Sequence, residues 1–463
     1  MRKNRNIGPI AVFVFAMLIA LLPIAASGQN SKQRQAAKNL AAQGDDFYRQ
    51  KMYSEAIAKY SEALKIMPKY PFAHFSKGYS HFNLKQYSEA VNSLTLALKA
   101  GYKPLEVYAV RWQAYFMLKD LENAKADIKS AEKLDPKNDY FYIAEGQILH
   151  ELTDYAGAID AYQKAIDLNS TNNDLYYFIA KTYNAAGNYD QQKIAAELAL
   201  KSGTRFPGES YFYIGDYYYR QRNYKEAAEA YEMSLTSNPD IYNTYGNLAD
   251  TYRNLNDYQK AIKIALQGTR KYPDDGTLKV SLSWYYSLAD QNGNAVAVAQ
   301  EAIKLVPNQY MAHTNLCRAY NDLKQYTSAI IACNRAIAIE PGDGETNFYL
   351  GRAHQLLGKT KEAAEYYKKA VKGLEEFTKI NPDYSDGFYL LGNAYFADGQ
   401  RENSITAYER CLQISPRFAK ARYNLGYVYS QTGNAAAARK QYEALQQLDP
   451  DLAGKLLEVL GSK

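Results

Sequence analysis

Prolines recur along this chain with a period. Pro68, Pro136, Pro239, Pro273, Pro307, Pro341, Pro416 and Pro450 are separated mostly by 34 residues or by twice that number. A fixed period of this size means one supersecondary unit repeated, each copy burying its apolar face on its neighbours. Numbering each unit from 1 to 34 places repeat starts at residues 37, 71, 105, 139, 173, 208, 242, 276, 310, 344, 385 and 419. The tenth repeat carries seven extra residues around KGLEEFTKIN, about two helical turns, so its second helix should run longer.

The register explains which residues recur. Position 8 holds Gly44, Gly78, Gly146, Gly215, Gly351, Gly392 and Gly426, and only Trp112 is large there. Position 20 is Ala in ten repeats, with Gln192 and Ser404 as the exceptions. Position 11 is Tyr in eight, from Tyr115 to Tyr429. Positions 4, 7, 8 and 11 share one helical face, as do 20, 24 and 27. Two helices per repeat follow, with a turn near position 15, where Gly187, Asn256, Gly358, Gly399 and Gly433 fall. Small residues at 8, 20 and 27 let the paired helices approach closely. Large side chains at 4, 11 and 24 are expected in the core, and the tyrosines at position 17 (Tyr53, Tyr87, Tyr155, Tyr224) should wedge against the next helix pair.

This pattern resembles the tetratricopeptide repeat, whose signature is W-x2-L-G-x2-Y, then A-x3-F, then P. The last repeat is a close match, with Leu425, Gly426 and Tyr429, then Ala438, Tyr442 and Pro450. The resemblance covers residues 37 to 452. It implies an all-α chain, a right-handed superhelical α-solenoid of twelve helix-turn-helix repeats over residues 37–450. Residues 29–36 form a lead-in. Residues 451–463 should form a capping helix, with Leu452, Leu456, Leu457 and Leu460 on one face.

The first 28 residues are of another kind. MRKNRN is cationic, the next stretch is almost wholly apolar, and the run ends in small residues. This is the three-part pattern of a secretory signal peptide, and a break after Gly28 is expected. The alternative is an uncleaved membrane anchor over residues 7–26. Either way the body is exported, to the periplasm or beyond the cell. Arg2, Lys3 and Arg5 lie in the leader, and without them the formal charge falls from +6 to +3. A near-neutral body argues against a nucleic-acid partner.

Chemistry leaves few marks. Ala353 to Thr360, AHQLLGKT, fits a relaxed phosphate-loop pattern, but it ends one helix and turns into another, whereas a phosphate loop follows a strand. A nucleotide-binding protein using this stretch is the unfavoured reading. His74 and His313 at position 4, and His81 and His354 at position 11, fall in core slots; His150 is expected exposed in the groove. No cofactor or metal site is indicated, and no nucleophile with an orienting base. Cys317 and Cys333 occupy positions 8 and 24 of one repeat. They read as two small buried thiols, with a disulfide as the alternative in an exported chain.

The resemblance also implies that first helices line a concave face, with positions 2, 5, 9, 12 and 13 pointing into it. The second repeat then contributes Phe72, Phe75, Tyr79 and Phe82, the third Phe116 and Met117, and the fourth Tyr140, Ile143 and His150. Tyr177, Phe212 and Tyr219 follow in the fifth and sixth. Phe348, Tyr389, Phe396, Tyr423 and Tyr427 complete the aromatic strip. Asn247, Asn315 and Asn424 at position 6 are candidates to bond an extended peptide backbone. The lysine–asparagine clamp of the chaperone-binding members is missing. The expectation is a non-enzymatic scaffold of the cell envelope that binds a protein or peptide segment in this groove. A membrane-tethered envelope assembly factor is the alternative.

Overall fold

The computed structural model describes residues 31–461. The expected leader, residues 1–28, and the anchor alternative over residues 7–26 lie outside them. Among the described residues there are 25 helices, two per repeat plus one at the C-terminal end. The chain forms two compact parts, one through Ser170 and one from Thr171. The first helix begins at Ser31, so the lead-in continues directly into the first repeat. In the tenth repeat the second helix runs 21 residues, Thr360–Ile380, against 13 or 14 in most others.

The turn inside each repeat has one geometry. The residue at position 15 takes positive φ in all twelve, whether glycine (Gly187, 72°; Gly399, 84°) or not (Lys51, 62°; Arg222, 61°; Lys324, 61°). In the second repeat Lys85 N–H donates to Phe82 O and Gln86 N–H donates to His81 O, both at 2.9 Å. This left-handed residue satisfies carbonyls at the end of the first helix. The next residue starts the second helix. Asp120, Asp154, Asn188, Asp257 and Asn434 there accept from the backbone N–H three residues on, satisfying an otherwise orphaned donor.

In every repeat with a glycine at position 8 except the last, that glycine lies under the side chain at position 24. A Cβ on Gly44 would fall 2.6 Å from the Tyr60 ring, on Gly215 2.6 Å from Tyr231, and on Gly392 2.6 Å from Tyr408. Tyr60, Tyr231 and Tyr408 are among the largest fully buried side chains. In the ninth repeat the same two positions carry Cys317 and Cys333, and a disulfide joins them across 5.2 Å between Cα atoms. The expectation of two free thiols is corrected here, because facing helices at this contact bring the two positions within bonding reach.

Between repeats, polar tips stitch neighbours together. Position 4 ranges from buried to half-buried, and its polar tips reach backbone: Tyr142 and Tyr245, both buried, donate to the carbonyls of Pro136 and Pro239 at 3.0 Å, and the rings of the half-buried His74 and His313 meet Pro68 O and Pro307 O. The position-11 hydroxyls of Tyr395 and Tyr429 donate to Glu375 and Glu409 of the preceding repeat. The exceptions at position 20 also bond backbone, Gln192 to Tyr213 O and Ser404 to Gly392 O. In the C-terminal helix Leu456 is fully buried and touches the Gly426 position, but Leu457 is 44% exposed, so the expected four-leucine face is narrower.

Candidate partner-binding site

The groove rings do more packing than their spacing suggests. In four repeats position 17 folds back across its own turn onto the ring at position 12: Tyr48–Tyr53 at 5.4 Å, Phe82–Tyr87 at 5.7 Å, His150–Tyr155 at 5.7 Å and Tyr219–Tyr224 at 5.6 Å between centroids. Tyr189, at the same position of the fifth repeat, meets Arg220 of the next repeat at 3.7 Å. His150 is accordingly half-buried. At position 5, an aromatic residue from the connection to the next repeat covers the ring. Phe75 stacks on Tyr102 at 4.4 Å, Tyr177 on Phe206 at 4.3 Å, and Tyr389 meets Phe418 at 4.9 Å. The mark of these covers in the sequence is an aromatic residue at positions 32 to 34, the stretch where the periodic proline falls in most repeats.

In the N-terminal part, Tyr53, Tyr48, Tyr79, Phe75 and Tyr102 form one continuous ring stack. Phe72 packs beside Tyr70. Phe116 and Tyr140 both lie edge-on to Trp112, and Gln113 donates to the Tyr140 hydroxyl. Burial pushes that phenol up to about 12. Met117 is exposed, whereas Ile143 is buried.

In the C-terminal part, the position-6 asparagines are already engaged. Asn315 is buried, and its amide donates to Val280 O and Ser283 Oγ, both at 3.0 Å. Asn247 donates to Tyr231 Oη and Asn424 to Asn393 Oδ1. Each of these amides holds the scaffold through at least one bond, and Asn247 and Asn424 also line the cavities of this part. Phe212 packs on Tyr231.

Two cavities lie in this part. One of about 690 Å³ gathers Phe348, Tyr389, Phe396, Tyr423, Asn424 and Tyr427, together with Trp284 and Tyr258. Each charged residue lining it has an opposite partner: Arg318 with Glu345, Arg352 with Asp322, Lys420 with Asp290, and Asp386 with Arg253. Arg318 Nε and Ser287 Oγ, buried in its wall, make no hydrogen bond among the described residues. The second cavity, about 780 Å³, gathers Tyr219 and Asn247 with Arg222, Asp250 and Arg253. The two share Tyr384 as their one common lining residue. Tyr384 thus stands between the two cavities of this part.

Tyr384 belongs to the connection after the lengthened helix of the tenth repeat. Asp383 meets Arg222 at 2.7 Å, and Asp386 meets Arg253 at 2.6 Å. Arg253 is 6% exposed, bonds Asp250 through Nε, and lies between the rings of Trp284 and Tyr384 at 5.0 and 5.5 Å. Burial alone would lower this guanidinium. The carboxylates of Asp386 and Asp250 overcome that and hold it above the ordinary arginine value. Burial pushes the Tyr384 phenol up.

The phosphate-loop look-alike is a repeat turn. Gly358 has φ of 78°, and the N–H groups of Gly358 and Lys359 donate to Gln355 O and His354 O. These amides do not converge on a phosphate.

Comparison with known proteins agrees with this architecture. Family profiles described as tetratricopeptide repeat match residues 113–173, 179–241, 212–276 and 281–344, and also 345–372 and 419–452; one described as TPR repeat matches 44–85 and 392–433. Together they span well over half of the chain. A BBSome complex member BBS4 homolog of Drosophila melanogaster is 26% identical over 159 residues, 32% of each chain. The small glutamine-rich tetratricopeptide repeat-containing protein 2 of Mycosarcoma maydis is 31% identical over 113 residues, 24% of this chain and 30% of that one. The alignments thus span about a third of the length of these curated relatives. Among solved structures, yeast Tom70 is 14% identical with a TM-score of 0.41, over 93% of this chain and 95% of that one. The Cut9–Hcn1 hetero-tetramer of the APC/C is 14% identical with a TM-score of 0.33, over 92% and 96%. Proteins of this fold generally bind protein partners, and the fold is typically non-catalytic. The positive φ at position 15, the position-8 contact with position 24 and the profile matches have one reading: this chain belongs to the tetratricopeptide repeat family.

Proposed function

We propose that this protein is a non-enzymatic interaction scaffold of the cell envelope, exported by its leader, which receives a segment of a protein partner on the concave side of its C-terminal part. The observation that carries the reading is the aromatic-lined cavity of about 690 Å³ between first helices of the later repeats. A concave site of this size, with convergent rings and charged groups that are paired with one another, is a usual form of a binding site. Its balanced charges favour an occupant that is apolar where it meets Phe348, Phe396 and Tyr427. The N-terminal ring stack serves as scaffold in this reading. The similar protein named as a BBSome complex member is in keeping with a role in assembly.

The test is capture from envelope extracts by the purified chain and by a Phe396→Ala/Tyr427→Ala variant. These two rings meet edge-on at 5.8 Å at the cavity wall. The variant should keep its melting temperature within a few degrees and lose partner capture by tenfold or more. Equal capture by both proteins would overturn the cavity as the site. Mature protein beginning near Gln29 and released by osmotic shock supports export by cleavage; an intact Met1 terminus in the membrane pellet supports the tethered assembly factor.

A further inference from the structure

The connection between the two cavities is itself a peptide seated in a binding site. Its residues Asp383 and Tyr384, with Ser385 and Asp386 in the first turn of the helix Ser385–Ala397 that follows, reach the turn holding Arg222 and the helix holding Arg253, more than 120 residues earlier in the chain. Two carboxylates reach two arginines, at 2.7 Å for Asp383–Arg222 and 2.6 Å for Asp386–Arg253. The aromatic residue between them lines both cavities and faces the Arg253 guanidinium. The receiving side is prepared for this chemistry. Arg253 is buried, braced by Asp250 on one edge and by Trp284 on its face. A guanidinium fixed in this way presents its remaining N–H groups in one direction and selects a carboxylate in that direction. Lys420–Asp290, 130 residues apart, is a further ion pair between distant repeats of this part.

We propose that this strap stands in the place of the partner: the segment recognised by the C-terminal part carries an aromatic residue next to one carboxylate and two residues before another, spaced as in Asp383-Tyr384-Ser385-Asp386, and binds Arg222 and Arg253 by displacing the strap. The inference rests on the interaction reading above and names the chemistry of its partner. A tethered segment competes at an effective concentration on the order of millimolar. The resident strap therefore sets a threshold, which weak or unpaired sequences do not pass and a segment with additional contacts in the neighbouring cavity does. The seven-residue insertion is what places the strap here, because the repeats without it end their second helices about two turns earlier.

The probe is the blocked peptide acetyl-NPDYSDG-amide, read by fluorescence. Trp284 is one of only two tryptophans and lies against the Arg253 guanidinium. The wild-type chain should bind the peptide weakly, because its own strap fills the place. An Asp383→Asn/Tyr384→Ala/Asp386→Asn variant of the full chain should bind it at least tenfold more tightly, with a change in Trp284 emission. The peptide with both aspartates replaced by asparagine should bind neither protein. Adding Arg253→Gln to the variant should remove the gain. Helicity by circular dichroism establishes folding; if the triple variant unfolds, Tyr384→Ala alone is used and should show the same ordering. Equal affinity of the peptide for wild type and a folded variant, or no binding to either, would overturn the proposal. A partner captured through Phe396 and Tyr427 that the peptide does not compete for would also overturn it, while leaving the interaction reading intact.

Discussion

Gly215 lies directly beneath the ring of Tyr231, with no room for a methyl group: a Cβ there would fall 2.6 Å from ring carbon Cδ1. Alanine is the better helix former by about 1 kcal/mol, yet Gly215→Ala should destabilise the C-terminal part by about 1–3 kcal/mol, because a fully buried ring must move. Gly246 is the control. It lies in the helix Tyr242–Asn254 with nothing near its Cβ position. Gly246→Ala should stabilise by about 0.5–1 kcal/mol. Urea midpoints of the two variants should move in opposite directions.

Left-handed residues at the turns give a second prediction. Lys51 and Lys324 hold φ near 60° with side chains that have no special tolerance for it. The left-handed region costs such a residue about 1–2 kcal/mol, and glycine gives back part of that in chain entropy. Lys51→Gly and Lys324→Gly should each raise stability by about 0.5–1 kcal/mol. Gly399→Ala, where φ is 84° and the space around the Cβ is open, should lower it by about 1 kcal/mol from backbone conformation alone.

The Cys317–Cys333 bridge closes a short loop, with 16 residues of sequence separation. Loops of that length are worth about 3 kcal/mol through restriction of the unfolded chain. Reductant should therefore lower the thermal midpoint. Without reductant, a thiol reagent should label one cysteine per chain, and only after unfolding, because Cys411 is buried and its thiol is pushed well above the ordinary range by that burial.

A pH dependence is expected from Glu132 in the N-terminal part. Burial pushes its carboxyl up to about 7. Lys129 opposes this and neighbouring Glu145 adds to it, and Oε1 has no hydrogen-bond partner among the described residues. The unfolded chain releases this proton near the ordinary carboxylate value, about 4.3. Between those two values the folded state holds the proton more tightly, so stability falls as pH rises through this window and is level above it. Glu132→Gln should flatten that slope and raise stability at pH 8 by about 1–3 kcal/mol. Melting temperatures of both proteins from pH 4.5 to 8 check it.

The fold was legible because close helix contact demands small residues at fixed places. Gly44, Ala56 and Ala63 cannot be replaced by chance three times in each repeat, so the register showed in the residue types alone. The turn was legible only in part. Four glycines mark position 15, but Lys51, Lys85, Lys119 and Arg222 adopt the same backbone under the constraint of the paired helices, with nothing in a lysine or arginine to announce it. Groove faces were the least legible. The ring covering Phe75 comes 27 residues later, at Tyr102, and the one covering Tyr177 comes 29 residues later, at Phe206. A helical wheel drawn for one helix does not contain these partners. Arg253 and Asp386 belong to repeats four apart, and their meeting left only one trace in the sequence, the insertion that lengthens Thr360–Ile380.

That meeting changes how the C-terminal part should fold. A stack in which each repeat touches only its neighbours unfolds piecemeal, from its ends, with a chain of small transitions. A contact across 133 residues closes a loop through four repeats. The loop entropy is lost all at once, and the contact repays it only when every intervening repeat is in place. The repeats between Arg253 and Asp386 should thus exchange their amide hydrogens as a single block with one opening free energy, while the repeats outside the loop fray independently.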